Sequence, residues 1–250
     1  MNLLDIGRRG LGKSTLAEYQ ARQLSSNRIY FDPGDQFDNV AYKTSDLEEF
    51  TQELEHWPED KPIVISYVPK KGSNVEIAWN GFAHRLWEFI GKHEGALSAV
   101  VIVDESHRLQ SPQKINDMLD EFIRRSPRRE RGDKNPIDLI QTTHYPQDLH
   151  RVSWGESDEI WFFNVFDKRA LKAIQDQFGE EIATKVSELK TPRTGGREVM
   201  VVESETGQYR IIENPDDWYA DIKVNHFEKK DDIPRLSNTG KNLEETYGRL

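Results

Sequence analysis

Near the start of the chain, Gly7-Arg8-Arg9-Gly10-Leu11-Gly12-Lys13-Ser14-Thr15 fits the pattern G-x-x-x-x-G-K-S/T. The pattern limits what the surrounding chain can fold into, because it calls for a strand before it and a helix after it. A loop that wraps a triphosphate must bring backbone N–H groups against the anion. Glycine allows that approach because no side chain stands in the way. Lys13 can reach the outer phosphates, the Ser14 hydroxyl can ligate Mg2+, and a helix starting here points its positive end at the anion. Both flanks agree: Leu3-Leu4-Asp5-Ile6 reads as a short buried strand and residues 14–23 as a helix. The nine residues from Gly7 to Thr15 are therefore candidate nucleotide-binding residues, with ATP and Mg2+ the expected ligands.

The alternation continues. Arg28-Ile29-Tyr30-Phe31-Asp32 reads as a second strand, ended by the turn Pro33-Gly34-Asp35. Ser45-Asp46-Leu47-Glu48 has capping-box spacing and predicts a helix to about Trp57. Ile63-Val64-Ile65-Ser66-Tyr67-Val68 is β-branched enough for a buried strand, closed by Pro69 and followed by the exposed basic loop Lys70-Lys71-Gly72-Ser73. Trp79, Phe82, Ala83, Leu86 and Ile90 recur at helical spacing over 75–93, and Ile115, Met118, Leu119, Phe122 and Ile123 mark another amphipathic helix. Residues 97–103 are almost wholly apolar, as a central parallel strand buried on both faces should be. Strands are also expected over 137–143 and 159–164, and Asp167 is placed to cap a helix carrying Ala170, Leu171, Ile174 and Phe178. A further helix carries Ile182, Val186 and Leu189, and a hairpin turns at Thr206-Gly207. This is an α/β pattern with a largely parallel sheet. It divides into a domain over 1–213 and a polar tail over 214–250 that reads as extended or partly disordered.

A second motif sits in the apolar strand Val100-Val101-Ile102-Val103-Asp104-Glu105. At the carboxyl end of a central strand Asp104 falls beside the phosphate loop and can hold the metal, directly or through a water. Glu105 is placed to polarise a water for attack on the terminal phosphate. A small-molecule kinase does not need such a glutamate. The strand over 137–143 continues into His144-Tyr145-Pro146, and the polar residue at its end can sense the γ-phosphate: His144 first, Thr143 second. Arg124, Arg125, Arg128, Arg129 and Arg131, with Lys134, form a basic segment in a chain of formal net charge -10. That balance argues against general nucleic-acid binding by the whole surface and leaves room for a local strip. An arginine from this segment could reach a neighbouring subunit's nucleotide. With no cysteine, neither a disulfide framework nor a thiolate metal site is possible. No apolar run approaches the roughly 20 residues of a membrane span, and no signal peptide is apparent. A soluble protein of the cytoplasm is expected.

Taken in order, these motifs resemble the HerA/FtsK superfamily of ring-forming DNA-pumping ATPases, and within it the compact genome-packaging ATPases of tailless, membrane-containing viruses. The resemblance spans roughly residues 2–212. Its more specific part is the order of an Asp-Glu strand, a helix, an arginine segment, and a strand ending in a polar residue and a proline. Where such strands commonly end Thr-Gln-x-Pro, this one reads Thr143-His144-Tyr145-Pro146. Arg129-Glu130-Arg131-Gly132 resembles the family's Arg-His-x-Gly finger segment, followed by an insertion over 133–136, so Arg129 is the first candidate finger and Arg131 the second.

The resemblance implies a RecA-like P-loop ATPase core with a carboxy-terminal β-hairpin. It also implies double-stranded DNA as substrate and a homo-oligomeric ring, a hexamer with a pentamer as the alternative. Capsid or vertex proteins are implied partners, in the host cytoplasm or on the virion. A phosphate loop beginning at residue 7 favours a minimal viral motor over cellular members with extra amino-terminal domains. Other readings are a HerA-like cellular DNA-processing ATPase and a P-loop kinase. A D-E-x-H helicase fits Asp104-Glu105-Ser106-His107 but needs two motor domains. A filamentous-phage morphogenesis ATPase would carry a membrane span.

Overall fold

In the computed structural model the described residues are 1–58, 60–93, 97–125 and 137–213. The first half of the chain runs β1 (Asn2–Ile6), α1 (Lys13–Leu24), β2 (Arg28–Phe31), β3 (Tyr42–Thr44), α2 (Leu47–Glu55), β4 (Val64–Tyr67), α3 (Val75–Lys92) and β5 (Ala99–Val103). A 3₁₀ turn, Ser106–Leu109, leads into the small hairpin β6 (Gln110–Ser111) and β7 (Lys114–Ile115), then α4 (Asp117–Arg125). The second half runs β8 (Ile137–Thr143), α5 (Arg151–Gly155), β9 (Glu159–Phe162), α6 (Lys168–Phe178), α7 (Glu180–Glu188), β10 (Glu198–Glu203) and β11 (Tyr209–Glu213).

Nine strands form one sheet in the order β11-β10-β9-β1-β8-β5-β2-β4-β3. Every pairing from β9 to β3 is parallel, and the hairpin β10–β11 adds antiparallel to β9. β8 lies between β1 and β5, so the loops after the first strand and after the Asp-Glu strand flank the end of a third. Register fixes the juxtaposition: Ile6 pairs with Thr143, and Val103 with Gln141.

The apolar pattern explains the layers. Along β5, Ala99, Val101 and Val103 pack with Trp79, Phe82 and Leu86 of α3 and with Leu119 and Phe122 of α4, while Val100 and Ile102 face Ala17 and Ala21 of α1. Period-two alternation with both faces apolar is what a strand covered on both sides requires. Trp79 is fully buried and meets Phe31 edge-on, with centroids 5.1 Å apart. Truncating such a residue to alanine costs about 3–5 kcal/mol.

Most expected elements are present, and the differences are local. The α2 cap is Asp46, which accepts the Glu48 and Glu49 amides at 2.9 and 3.2 Å, rather than Ser45. Aspartate serves this position as well as serine does, and Thr44 Oγ1 donates to Glu49 Oε2 at 2.7 Å. Ile115 belongs to β7 and not to the following helix, which starts under the Asn116 side chain: Asn116 Oδ1 accepts the Met118 and Leu119 amides. The tail over 214–250, the segment carrying Arg128, Arg129, Arg131 and Lys134, and the insertion over 133–136 lie outside the described residues.

Candidate nucleotide site

The carboxyl ends of β1, β5 and β8 open into a cavity of about 650 Å³. The turn from β1 into α1 is built as the sequence predicts. Gly7 donates its amide to the Thr143 carbonyl at 3.1 Å, and a Cβ at Gly7 would sit 2.5 Å from Phe163 Cβ, so only glycine passes there. Gly12 caps α1 with φ at 102°, the left-handed region open to glycine. Arg9, Gly10, Gly12, Lys13, Ser14 and Thr15 line the cavity. The other three loop residues turn elsewhere. Arg8 lays its guanidinium 3.7 Å from the centre of the Phe166 ring, Leu11 packs with Leu16, Phe163 and Val199, and Gly7 lies beneath the loop. Lys13 Nζ donates to the Arg8 carbonyl at 3.2 Å, closing the loop on itself. Burial pulls the Lys13 pKa down, against the carboxylates of Glu105, Asp104 and Asp5.

Opposite the loop stand the two acids that follow β5. Asp104 is buried, and its Oδ1 accepts the Thr142 hydroxyl at 2.6 Å. Its Oδ2 has no hydrogen-bond partner, and a Cβ at Gly34 would come within 2.9 Å of it. Burial raises the Asp104 pKa, with the Thr142 hydrogen bond and Lys13 pulling it down. A free, buried carboxylate oxygen in the cavity that Ser14 also lines is a donor set that suits magnesium.

Glu105 adopts φ 53°, ψ 44°, the left-handed region at a residue with a side chain. Such backbone costs about 1–3 kcal/mol and persists where surrounding contacts enforce it. Here the Glu105 amide reaches Thr142 Oγ1 at 3.3 Å while the chain turns into Ser106–Leu109. Burial and the Asp104 charge push the Glu105 carboxyl up to about 7. Its Oε2 lies 2.8 Å from His144 Nδ1 and 3.2 Å from His107 Nδ1. The approach to His144 is not aligned as a hydrogen bond, so Glu105 Oε2 and His144 Nδ1 are both buried without a hydrogen-bond partner. Burial, with Lys13 and Arg9, pushes His144 down to about 4. Burial, with His144, Arg108 and Lys13, does the same to His107. Both imidazoles are neutral at neutral pH.

The structure thus brings together Lys13, Ser14, Asp104, Glu105 and His144. Thr143, the second sensor candidate, is buried and holds His107 Nδ1 at 3.1 Å. Arg129 and Arg131 lie outside the described residues. Arg124 and Arg125, at the start of the cluster, are tied to their own helix: Arg124 Nε donates to both Asp120 oxygens at 2.9 Å, and Arg125 pairs with Glu121.

Sequence reasoning missed Gly34, Gln36, His107, Arg108 and Arg197 in the cavity wall. Arg108 follows the acids closely enough to have been read from spacing. Arg197 precedes β10, and nothing local marks it.

No protein-family model matches the chain, and no curated protein matches it. Among solved structures, the genome packaging NTPase B204 from Sulfolobus turreted icosahedral virus 2, in complex with ATP-gammaS, is similar at 19% identity. The match covers 85% of this chain and 96% of that one, with a TM-score of 0.63. B204, the DNA-packaging ATPase from Sulfolobus turreted icosahedral virus, is similar at 21% identity over 85% and 97% of the two chains, with a TM-score of 0.58. The pCW3 conjugation coupling protein TcpA, monomer form with ATPgS, is similar at 14% identity over 90% and 64%, with a TM-score of 0.52. At these identities the likeness is one of fold: a mostly parallel sheet flanked by helices in the RecA-like arrangement of P-loop ATPases. Among the described residues no helix is long and apolar enough to cross a membrane.

Proposed function

We propose that this chain hydrolyses ATP and couples hydrolysis to double-stranded DNA translocation, packaging a viral genome into a preformed capsid. The observation that carries the reading is the convergence of Lys13 and Ser14 with Asp104 and Glu105 on one cavity, at the end of a sheet with β8 between β1 and β5. Support for the DNA step comes from the fold shared with proteins described as a genome packaging NTPase and a conjugation coupling protein. Residues 1–213 form the motor, residues 214–250 its tail, and the working unit is a homo-oligomeric ring, hexameric or pentameric, in the host cytoplasm or on the virion, meeting capsid or vertex proteins.

In this reading Lys13 leaves the Arg8 carbonyl and clamps the outer phosphates, while the backbone amides of the loop and the α1 N-terminus hold the others. Ser14 and Asp104 Oδ2 would hold a magnesium ion, which when bound would supply charge neutralisation at the phosphates. Glu105 in its ionised form accepts the proton of the attacking water. His144, beside it, senses whether the γ-position is filled. Arg129, or in its place Arg131, reaches a neighbour's site and stabilises charge in the transition state.

The test is steady-state phosphate release with and without double-stranded DNA, with particle mass measured in the same buffer. DNA-stimulated release by a ring supports the reading. A phosphorylated small-molecule product from a monomer would replace it with a kinase.

A further inference from the structure

The oxygen of Glu105 and the nitrogens of His107 and His144 lie within 4.8 Å of one another. Activating a water uses the carboxylate and sensing the γ-position uses His144, but neither gives His107 a role or explains why both imidazole nitrogens face one carboxylate oxygen. The elements that carry them are well anchored. His107 sits in the 3₁₀ turn Ser106–Leu109, whose ends are held by the Arg108 amide on Glu105 O and by Leu109 in the core, and His144 directly follows β8 at the centre of the sheet.

The donor chemistry is specific. Two neutral imidazoles and one carboxylate make up the set that zinc takes at three-ligand sites with an open fourth position, whereas magnesium prefers oxygen ligands throughout. Neighbouring ligand atoms around a tetrahedral zinc ion, with bonds of about 2.0–2.1 Å, stand about 3.3 Å apart. Glu105 Oε2 already lies 2.8 and 3.2 Å from the two Nδ1 atoms. Two of these three atoms, Glu105 Oε2 and His144 Nδ1, are buried and make no hydrogen bond. The third, His107 Nδ1, also has a hydrogen-bond contact to Thr143 Oγ1 at 3.1 Å, which ligation would replace. The adjoining cavity leaves room for a water in the fourth position.

We propose that Glu105, His107 and His144 form a second cation site, for a transition-metal dication of the zinc class, separate from the Ser14–Asp104 pair that suits magnesium. A metal bound there occupies the Glu105 oxygen that would otherwise accept the water's proton, so it holds the site idle with nucleotide still able to bind. This consequence for turnover rests on the ATPase reading; the binding itself does not.

The experiment uses the full chain, stripped of metal and free of nucleotide. Zn2+ is titrated by calorimetry and Co2+ by visible absorption, each in millimolar magnesium. The expected result is one Zn2+ per chain and the strong visible bands of four- or five-coordinate Co2+. His107→Gln and His144→Gln should each weaken Zn2+ binding at least ~10-fold. His84→Gln, at an exposed position of α3, should bind as the parent does. The weak spectrum of six-coordinate aqueous Co2+ overturns the proposal on the native chain, whatever the variants do. Zn2+ affinity unchanged in both histidine variants overturns it as well. In the ATPase arm, Zn2+ should stop phosphate release over the concentrations that fill the site, and excess magnesium should not relieve the block. Zn2+ that fills the site without slowing release removes the inhibitory role. A chain that binds Zn2+ through these residues but releases no phosphate from magnesium-ATP overturns the ATPase reading and leaves the metal site standing.

Discussion

Thr142 donates its hydroxyl proton to Asp104 Oδ1 at 2.6 Å, tying the end of β8 to the carboxylate that ends β5. One oxygen of Asp104 is thereby fixed and the other left free toward the cavity. Thr142→Val should keep the fold and loosen that carboxylate. A hydrogen bond to a charged group is worth about 1.5–3 kcal/mol, so turnover at limiting magnesium should fall roughly 10- to 100-fold. The magnesium concentration for half-maximal phosphate release should rise with it. An unchanged magnesium requirement would remove Thr142 from the positioning of Asp104.

Lys13→Ala should abolish turnover, because the outer phosphates lose their charged clamp. The parent Lys13 donates to the Arg8 carbonyl and is buried beside the carboxylates of Glu105, Asp104 and Asp5, so a thermal melt is run with the turnover assay to separate lost chemistry from lost stability. Turnover near that of the parent would sink the nucleotide-site assignment.

Glu105→Gln should bind ATP and magnesium but hydrolyse at least ~100-fold more slowly, the scale of a lost general base. It should also change stability with pH. The folded value of about 7 lies above the ordinary 4.5, so ionising Glu105 penalises the native state. Its contribution is intact below pH 4.5 and is lost as pH rises through 7. Variant and parent should melt close together at pH 4.5. At pH 8 the variant should be more stable by about 1–2 kcal/mol, after discounting for partial exposure. Thermal melts of both proteins across this range check the sign. A parent that gains on the variant as pH rises would contradict the burial of that carboxylate.

Gly7→Ala would put a Cβ 2.5 Å from Phe163 Cβ, close to the main chain of the residue after β9. The clash should cost about 1–3 kcal/mol and lower the melting temperature by about 2–4 °C for each of them. Nucleotide affinity should fall too, since the loop can relieve the clash only by moving. A variant as stable as the parent with normal binding would mean that Phe163 gives way instead.

Arg129→Ala should lower turnover by roughly 10³-fold or more while each subunit still binds ATP. Specific activity of the parent should rise with protein concentration until rings form. Phosphate release by the Arg129→Ala protein at the parent's DNA-free rate would pass the role to Arg131 or remove it from the segment. A reduced DNA affinity with a shallower salt dependence would mark a DNA contact instead.

The turn from β1 into α1 and the placement of the acids after β5 on the same cavity were legible because their pattern is local. Gly7 to Gly12 form the turn into α1, and Asp104-Glu105 directly follow one apolar strand. The alternating faces of β5 and the stripe on α3 were legible for the same reason, since period and burial coincide along a single element. β3 was not, because Tyr42-Lys43-Thr44 is three residues long with only Thr44 buried, and its pairing with β4 carries it. Ile115 fitted the helical stripe of α4 but is claimed by its β7 pairing, a tertiary override of spacing. Arg197 reaches the cavity only because β10 adds to β9, and no residue near it announces that. The approach of His144 to Glu105 depends on the register of β8 against β5, which spacing does not encode.

The pairing of β1 also has a consequence during synthesis. Leu3 is matched on one side to Ile140 and on the other to Glu159, so β1 leaves the ribosome before every other strand of the sheet and waits for both partners. At about 5–20 residues per second, roughly 8–30 s pass before the second arrives. Both edges of this apolar segment are free until β8 is made, and one stays free until β9 follows. The segment's one charged residue is Asp5, which in the finished fold is buried with Oδ2 unpartnered and its pKa driven well up by burial. A carboxylate that burial penalises in the completed sheet puts a charge on the unpaired strand, the pattern that opposes edge-to-edge aggregation.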